Sequence, residues 1–358
     1  MMGMKKWMSS VTALTMAAML FTGCGSSGGS NAGPANNGGG DAAPAKPQGK
    51  LTVYVGFQED HAVAAIKKFT EDTGIEASMI RMSGGEILAK VRAEQGNPQA
   101  DVWYGGPADT FVQATSEGLL QPYTSPIAEK VDAKYKDPDG NWTGIYVGAL
   151  GFASNKEFLA KKGVEAPKTW EDLLNPAFQG EIVMADPASS GTAYTAMYTV
   201  LKVMGSEEKG FEYLSKLHPQ IQQYTTSGSA PGRMVGMGEA GVGVLFAHDV
   251  IKYQEEGFDS LELTIPEDGT GYETGAIGII KNTKNEELAQ KFVDWALSPA
   301  GQEVGKTVGS YQNLTNPDAV GPEKAVKLSD INTIDYDVVE AGKERQRLID
   351  KWSAEVKK

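Results

Sequence analysis

Small, hydroxylated and glycine residues recur where strand-like runs give way to helical ones, and such places are suited to holding an anion. Ser83-Gly84-Gly85 precedes a helical pattern at 86–94, and Gly105-Gly106 follows the strand-like 101–104. Ser189-Ser190-Gly191-Thr192 follows Asp186-Pro187 and opens another helix, and Thr226-Ser227-Gly228-Ser229 lies just ahead of one. The first backbone N–H groups of a helix lack intrahelical partners and the dipole is positive there, so an anion fits without any Lys or Arg. The same hydroxyls also serve as helix caps, and for 189–192 in isolation a cap is the plainer reading. One helix end contributes about 0.3–1 kcal/mol, up to about 2 when partly buried. A micromolar ligand needs about 8 kcal/mol. The rest of the ligand must therefore be held too.

A second set of residues suits that remainder. His248-Asp249 follows the strand-like 242–246, which puts the pair at a strand's carboxyl end, and Glu273 comes 25 residues after His248. Carboxylates accept hydrogen bonds from hydroxyls and histidine does either, which is the chemistry a sugar ring demands. The competing reading is that Asp249 caps its helix and His248 is a satisfied turn residue. Position alone leaves the two even.

Composition removes several classes of function. The chain has 358 residues and a net charge of −13, and an acidic protein is a poor partner for nucleic acid. One cysteine rules out disulfide frameworks and cysteine-based zinc sites. The histidines, at 61, 218 and 248, are too scattered for a His-rich centre, so neither a metal nor a cofactor is expected. No Ser-His-Asp order or activated thiol suggests an enzyme. Gly236-Met237-Gly238-Glu239-Ala240-Gly241 matches a dinucleotide fingerprint but lies after a helix and before a strand, the wrong order. Asp137-Pro138-Asp139-Gly140 lacks the later ligands of a calcium loop and reads as a turn.

The elements that must position these residues alternate. Strand-like runs at 51–55, 75–80 and 101–104 are each followed by helical periodicity, at 62–73, 86–94 and 108–117, which implies a parallel sheet. Residues 146–154 form another strand. A second series follows: strand 181–185, helices 192–204, 208–217 and 229–237, strand 242–246, strands 261–265 and 276–280, helices 286–297 and 300–308. The tail, 336–356, is a long amphipathic helix. Trp103, Tyr104, Tyr146 and Tyr194 could flank a ligand, but core packing is the plainer reading for most of them. Two sheet-containing units joined near 147–154 and 265–277 would make a closable clamp, with ligands at the carboxyl ends of the strands.

Ahead of this lie fifty residues of different character. Lys5 and Lys6 precede an apolar stretch over about 11–21 that ends in Thr22-Gly23-Cys24, an export signal too short to span a membrane. Cys24 at the cleavage point resembles the lipobox of bacterial lipoproteins, with Phe21 where Leu, Val or Ile is usual. From 25 to 50 the chain is Gly, Ser, Asn, Ala and Pro with little to bury, a flexible leash. The expected plan is a signal peptide at 1–23 and a lipid-anchored linker at 24–50. One lobe would then comprise 51–147 with 276–358, and the other 148–275.

Several motifs together carry a family resemblance. They are Ala100-Asp101-Val102-Trp103-Tyr104, Pro167-Lys168-Thr169-Trp170-Glu171-Asp172-Leu173-Leu174, Asp186 to Thr192, Trp295-Ala296-Leu297-Ser298-Pro299-Ala300-Gly301-Gln302, and Ile334-Asp335-Tyr336-Asp337. In this order the chain resembles a solute-binding lipoprotein of an ABC importer. The fold implied is the α/β, two-lobed type II periplasmic-binding-protein clamshell, with a mixed sheet in each lobe. More narrowly it is similar to the branch holding ferric-ion-binding proteins and their hexose-phosphate-binding relatives. Ferric-ion binders carry adjacent tyrosines near 247–250, where this chain has Ala247-His248-Asp249-Val250. In the hexose-phosphate binders a His-Asp pair here and a later Glu bind sugar hydroxyls, matching His248, Asp249 and Glu273. The resemblance implies a monomeric receptor, anchored through Cys24 outside the cytoplasmic membrane. It would deliver a phosphorylated small molecule to permease subunits. Phosphonate, ferric iron or a sensor-kinase role are the alternatives.

Overall fold

The computed structural model describes residues 49–357, so the signal segment, Cys24 and all but the end of the linker lie outside the described residues. The strands are β1 (Lys50–Val55), β2 (Glu76–Arg81), β3 (Val102–Pro107), β4 (Leu120–Gln121), β5 (Thr143–Asn155) and β6 (Ile182–Ala185), then β7 (Ile221–Thr225), β8 (Val242–Phe246), β9 (Leu261–Thr264), β10 (Tyr272–Ile280) and β11 (Asn313–Leu314). The helices are α1 (Glu59–Thr73), α2 (Gly84–Ala93), α3 (Ala108–Ser116), α4 (Lys156–Lys162), α5 (Gly191–Val203) and α6 (Glu207–Leu217), then α7 (Ala230–Gly236), α8 (Ala247–Glu255), α9 (Glu286–Leu297), α10 (Pro299–Glu303) and α11 (Val338–Glu355). β1 starts at Lys50, so the strand takes in the last residue read as linker. Among the described residues no helix is long and apolar enough to cross a membrane.

β5 organises the rest. All 13 of its residues are buried, and it serves two sheets. Thr143 to Ala149 pair with β10, which continues through β3 and β1 to β2. Leu150 to Asn155 pair with β8 on one side and β9 on the other, and β8 leads to β6 and β7. β1, β2 and β3 are mutually parallel, as are β6, β7 and β8, while β10 and β5 run antiparallel to their neighbours. Both sheets are therefore mixed, as the family resemblance implied, and not purely parallel as the strand-helix alternation alone suggested.

Apolar spacing explains the packing. α1 buries Ala62, Ala65 and Phe69, and stops at Gly74, whose φ of 70° lets its N–H reach the Thr70 carbonyl. Phe69 meets Phe292 of α9 edge-on with ring centroids 4.7 Å apart. Around the second sheet Phe152 and Trp170 pack with Tyr194, Met197 and Phe211. α11, grouped by sequence with the first lobe, touches both sides. Gly342 lies against Val112 of α3, while Leu348, Ile349 and Trp352 enter the core of the second sheet.

Some local expectations needed revision. β7 was not anticipated, because this outer strand is polar and exposed at Gln222 and Gln223, and alternation there is faint. The 300–308 helix divides into α10 and a 3-10 turn over Val304–Val308. The Gly236 to Gly241 run joins α7 to β8, and a β-carbon at Gly241 would lie 2.4 Å from the Phe158 ring, so this run serves close packing.

Candidate ligand-binding cleft

The carboxyl ends of β1, β2 and β3 face those of β6, β7 and β8, and direct hydrogen bonds close the gap. Gly85 N–H donates to the Ser189 carbonyl at 3.0 Å, and Ser83 Oγ to the Thr226 carbonyl at 3.0 Å. A β-carbon at Gly85 would lie 2.4 Å from the Ala188 carbonyl oxygen, so only glycine permits this approach. Behind these contacts is a cavity with walls from both sides, among them Phe57, Gln58, Arg81, Ser83, Gly84, Tyr146, Ser190, Gly191, Thr192, Gly228, His248, Asp249, Glu273 and Gln312.

The structure brings most of the expected residues to that cavity. Ser83, Gly84, Ser190, Gly191, Thr192, Gly228, His248, Asp249 and Glu273 line it. Gly105, Ser189, Thr226 and Ser227 are not among its walls. Gly105, at φ 86°, packs on Phe57 and its carbonyl takes the Trp103 indole N–H at 3.0 Å. The Ser189 and Thr226 carbonyls accept the closing bonds, and Ser227 Oγ accepts from Arg81 Nη2 at 3.3 Å. Ser190 caps α5, its Oγ accepting from Ala193 N–H at 3.4 Å. Its hydroxyl is thus a structural cap, and the start of α5 presents Gly191 and Thr192 to the cavity.

The sequence lets an anion fit at these loops without Lys or Arg; the structure adds Arg81, the last residue of β2, to the cavity wall. Its Nε donates to the Phe57 carbonyl at 3.0 Å and Nη2 to Ser227, which fixes the guanidinium beside the glycine loops. A second cation, Lys252 of α8, also lines the cavity but is already held by Asp60 Oδ2 at 2.5 Å and the Val308 carbonyl at 2.6 Å.

The opposite wall is acidic and nearly dry. His248 and Asp249 lie in the first turn of α8, and Glu273 near the start of β10. His248 Nε2 lies 3.7 Å from Asp249 Oδ1 and 3.8 Å from Glu273 Oε1, with Gln312 Nε2 at 3.5 Å. The ring stacks on Phe246 at 5.4 Å. Asp249 does not cap α8. It accepts from Gln58 Nε2, which comes from the turn between β1 and α1. Burial pushes the Glu273 carboxyl well above the usual range, with Asp249 and Asp109 pushing the same way. Burial lowers His248, partly offset by Asp249. Both shifts favour the uncharged forms, in which a carboxyl can donate as well as accept and an imidazole can do either.

Sequence reading missed Gln58, Arg81 and Gln312. A signal existed for the first: Gly56-Phe57-Gln58 is also a strand-to-helix junction, the same kind of place as the four singled out. Tyr146, open between core and ligand-flanking in the sequence, is both: it is buried, and it lines the cavity, where its hydroxyl accepts from Gly106 N–H at 3.3 Å.

A family model for bacterial extracellular solute-binding proteins matches residues 97–337. The chain belongs to that family. Among solved structures, the periplasmic binding protein AfuA from Actinobacillus pleuropneumoniae, with exogenous fructose-6-phosphate bound, matches with a TM-score of 0.84 at 43% identity. The match covers 87% of this chain and 99% of that one. An uncharacterized protein of Haemophilus influenzae is 42% identical over 321 residues, 87% of this chain and 92% of its own. Iron-bound HitA from Pseudomonas aeruginosa matches with a TM-score of 0.72 at 20% identity, over 84% of this chain and 98% of that one, a likeness of fold. This solute-binding protein thus has the type II periplasmic-binding fold of the ferric-binding-protein-like branch. Its family works outside the cytoplasm as the transport component that serves an ABC importer.

Proposed function

We propose that this receptor captures a phosphorylated hexose and hands it to its permease. The observation that carries this reading is one cavity with two chemistries. On one side are Arg81 and the start of α5 at Gly191-Thr192. On the other are His248, Asp249 and Glu273. Charge-assisted bonds suit the phosphate, and the buried donors and acceptors suit ring hydroxyls. AfuA, at 43% identity, holds fructose-6-phosphate.

In this reading the lobes are 51–147 with 276–358 and 148–275, and they turn about β5. Ligand held by one lobe draws in the other, and its preference for the closed form sets the population the permease meets. Cys24, acylated after signal cleavage, would tether the monomeric receptor to the membrane's outer face through the 25–50 leash.

Thermal unfolding with fructose 6-phosphate, glucose 6-phosphate and inorganic phosphate tests the reading. A ligand at a hundred times its Kd adds about 2.7 kcal/mol. A midpoint rise with a sugar phosphate and not with phosphate is expected. Equal rises would assign binding to the anion side alone and favour the second reading, a phosphonate or other organophosphate held by Arg81 and the α5 start. Ferric iron fits poorly, because a hard cation wants phenolate oxygens and His248-Asp249 stand where a ferric-ion site would need adjacent tyrosines.

A further inference from the structure

The buried face of α11 carries a charge that does not line the ligand cavity. Arg345 is 2% exposed. Its Nε is 3.3 Å from Asp109 Oδ1, its Nη2 donates to the Pro187 carbonyl at 3.3 Å, and its guanidinium lies 4.9 Å from the centre of the Tyr194 ring. Asp109 is 1% exposed and takes the Tyr336 hydroxyl at 3.4 Å. The Nε–Oδ1 approach is misaligned for a hydrogen bond, and both atoms lack a hydrogen-bond partner among the described residues.

Each partner connects to the cavity. Asp109 is in the first turn of α3, two residues after Pro107, which lines the cavity. The Pro107 ring lies 2.6 Å from where a β-carbon on Gly191 would be. Pro187 stands in the turn that carries β6 into Ser190-Gly191-Thr192, and Tyr194 is in the first turn of α5. Arg345 therefore reaches the anion-binding end of α5 from behind.

A buried ion pair is a poor stabiliser, since apolar residues of similar volume often do as well or better. A misaligned one is poorer still, so stability does not account for it. We propose that Arg345, paired with Asp109, is a positioning residue for the ligand site. It holds the turn at Pro187, and with it the free N–H groups of Gly191 and Thr192, in place against Pro107 and the Ser83 loop. The affinity part of this proposal rests on the phosphate reading of the cavity; the positional part does not.

Two variants test it. Arg345→Lys keeps a charge opposite Asp109, but one ammonium lacks the fork that serves both Asp109 and the Pro187 carbonyl. The Asp109→Asn/Arg345→Met double variant removes both charges and leaves no unpaired buried ion. Both are expected to melt near the wild-type temperature. In the ligand-free protein, amide hydrogen exchange at 189–193 should quicken at least about tenfold, with α9 unchanged as the control. Fructose 6-phosphate should bind at least about tenfold more weakly. Wild-type exchange at 189–193 in either folded variant would overturn the proposal and leave the pair as packing. If the wild-type protein binds no sugar phosphate, the ligand class is wrong, and the exchange measurement still decides the role of Arg345. Should the double variant not fold, Arg345→Lys alone decides it.

Discussion

Gly148 stands opposite Glu273 in the β5–β10 ladder, and the room left by its missing side chain is taken by His248. A β-carbon at Gly148 would lie 2.4 Å from His248 Nδ1 and 3.7 Å from Glu273 Oε1. The absence of one methyl group lets an imidazole from α8 reach a carboxyl on β10. Gly148→Ala should push the ring off Glu273, at about 1–3 kcal/mol of stability. Calorimetric titration should show sugar phosphate binding fall by more than tenfold while the far-ultraviolet spectrum stays native. Wild-type affinity would mean that His248 and Glu273 need not be in register.

Arg81 is the cation that faces the glycine loops. Arg81→Met keeps the stem and removes the guanidinium. A charge-assisted hydrogen bond is worth about 1.5–3 kcal/mol, so affinity for fructose 6-phosphate should fall by about one to two orders of magnitude. Raised salt should then weaken binding by the variant less than by the wild type. Equal affinity in both proteins would return the anion to the helix end alone.

The buried groups predict opposite pH limbs. Burial brings His61 down from its usual 6.5 to about 4, against the pull of Asp60. The unfolded chain therefore binds more protons between those values, and stability drops as pH falls from 6.5 toward 4. His248 is lowered in the same direction. Glu273 is raised, so the folded state binds the extra proton, and its contribution is lost as pH climbs above the unfolded value near 4.5. Each group moves stability by up to about 1.4 kcal/mol per pH unit in its window. Urea unfolding across pH 4 to 8 should show His61→Asn flattening the acid limb and Glu273→Gln the alkaline one. Unchanged slopes would show that neither group is shifted.

Closure depends on Gly85. Gly85→Val places a side chain where the Ala188 and Ser189 carbonyls now lie, 2.4 and 2.7 Å from the first added carbon. The variant should scatter X-rays with a larger radius of gyration than the wild type in saturating ligand, and bind weakly. Wild-type compaction with ligand would mean that the Gly85 contact does not gate closure.

Much of this was legible in the sequence, and the limits are physical. The helix-start loops announce themselves because Gly, Ser and Thr have few other reasons to cluster after a strand. His248-Asp249 and Glu273 fall on α8 and β10, and the chain brings them within 4 Å, a grouping that the family resemblance implied and position alone left even. Arg81 was invisible because it ends a strand of mostly half-exposed side chains, where an arginine looks like any solvated residue. Gln58 stands at a strand-to-helix junction that the sequence does show, but its partner there, Asp249, lies far along the chain. Arg345 sits in a run of charges on α11, and only the packing of α3 and α5 around that helix separates it from its exposed neighbours.

The continuity of β5 has a bearing on how the chain can be divided. Both sheets take a strand from the same 13 residues, so neither half owns a complete set of strands. A fragment ending before Leu150 would leave β8 and β9 without the strand between them. A fragment starting there would leave β10 with one ladder unmade. Either piece would expose long apolar edges and aggregate. Fusion partners, sensors or split-protein cuts are therefore better placed at the exposed turns around Asp139 or Gly257 than near the centre of the sequence.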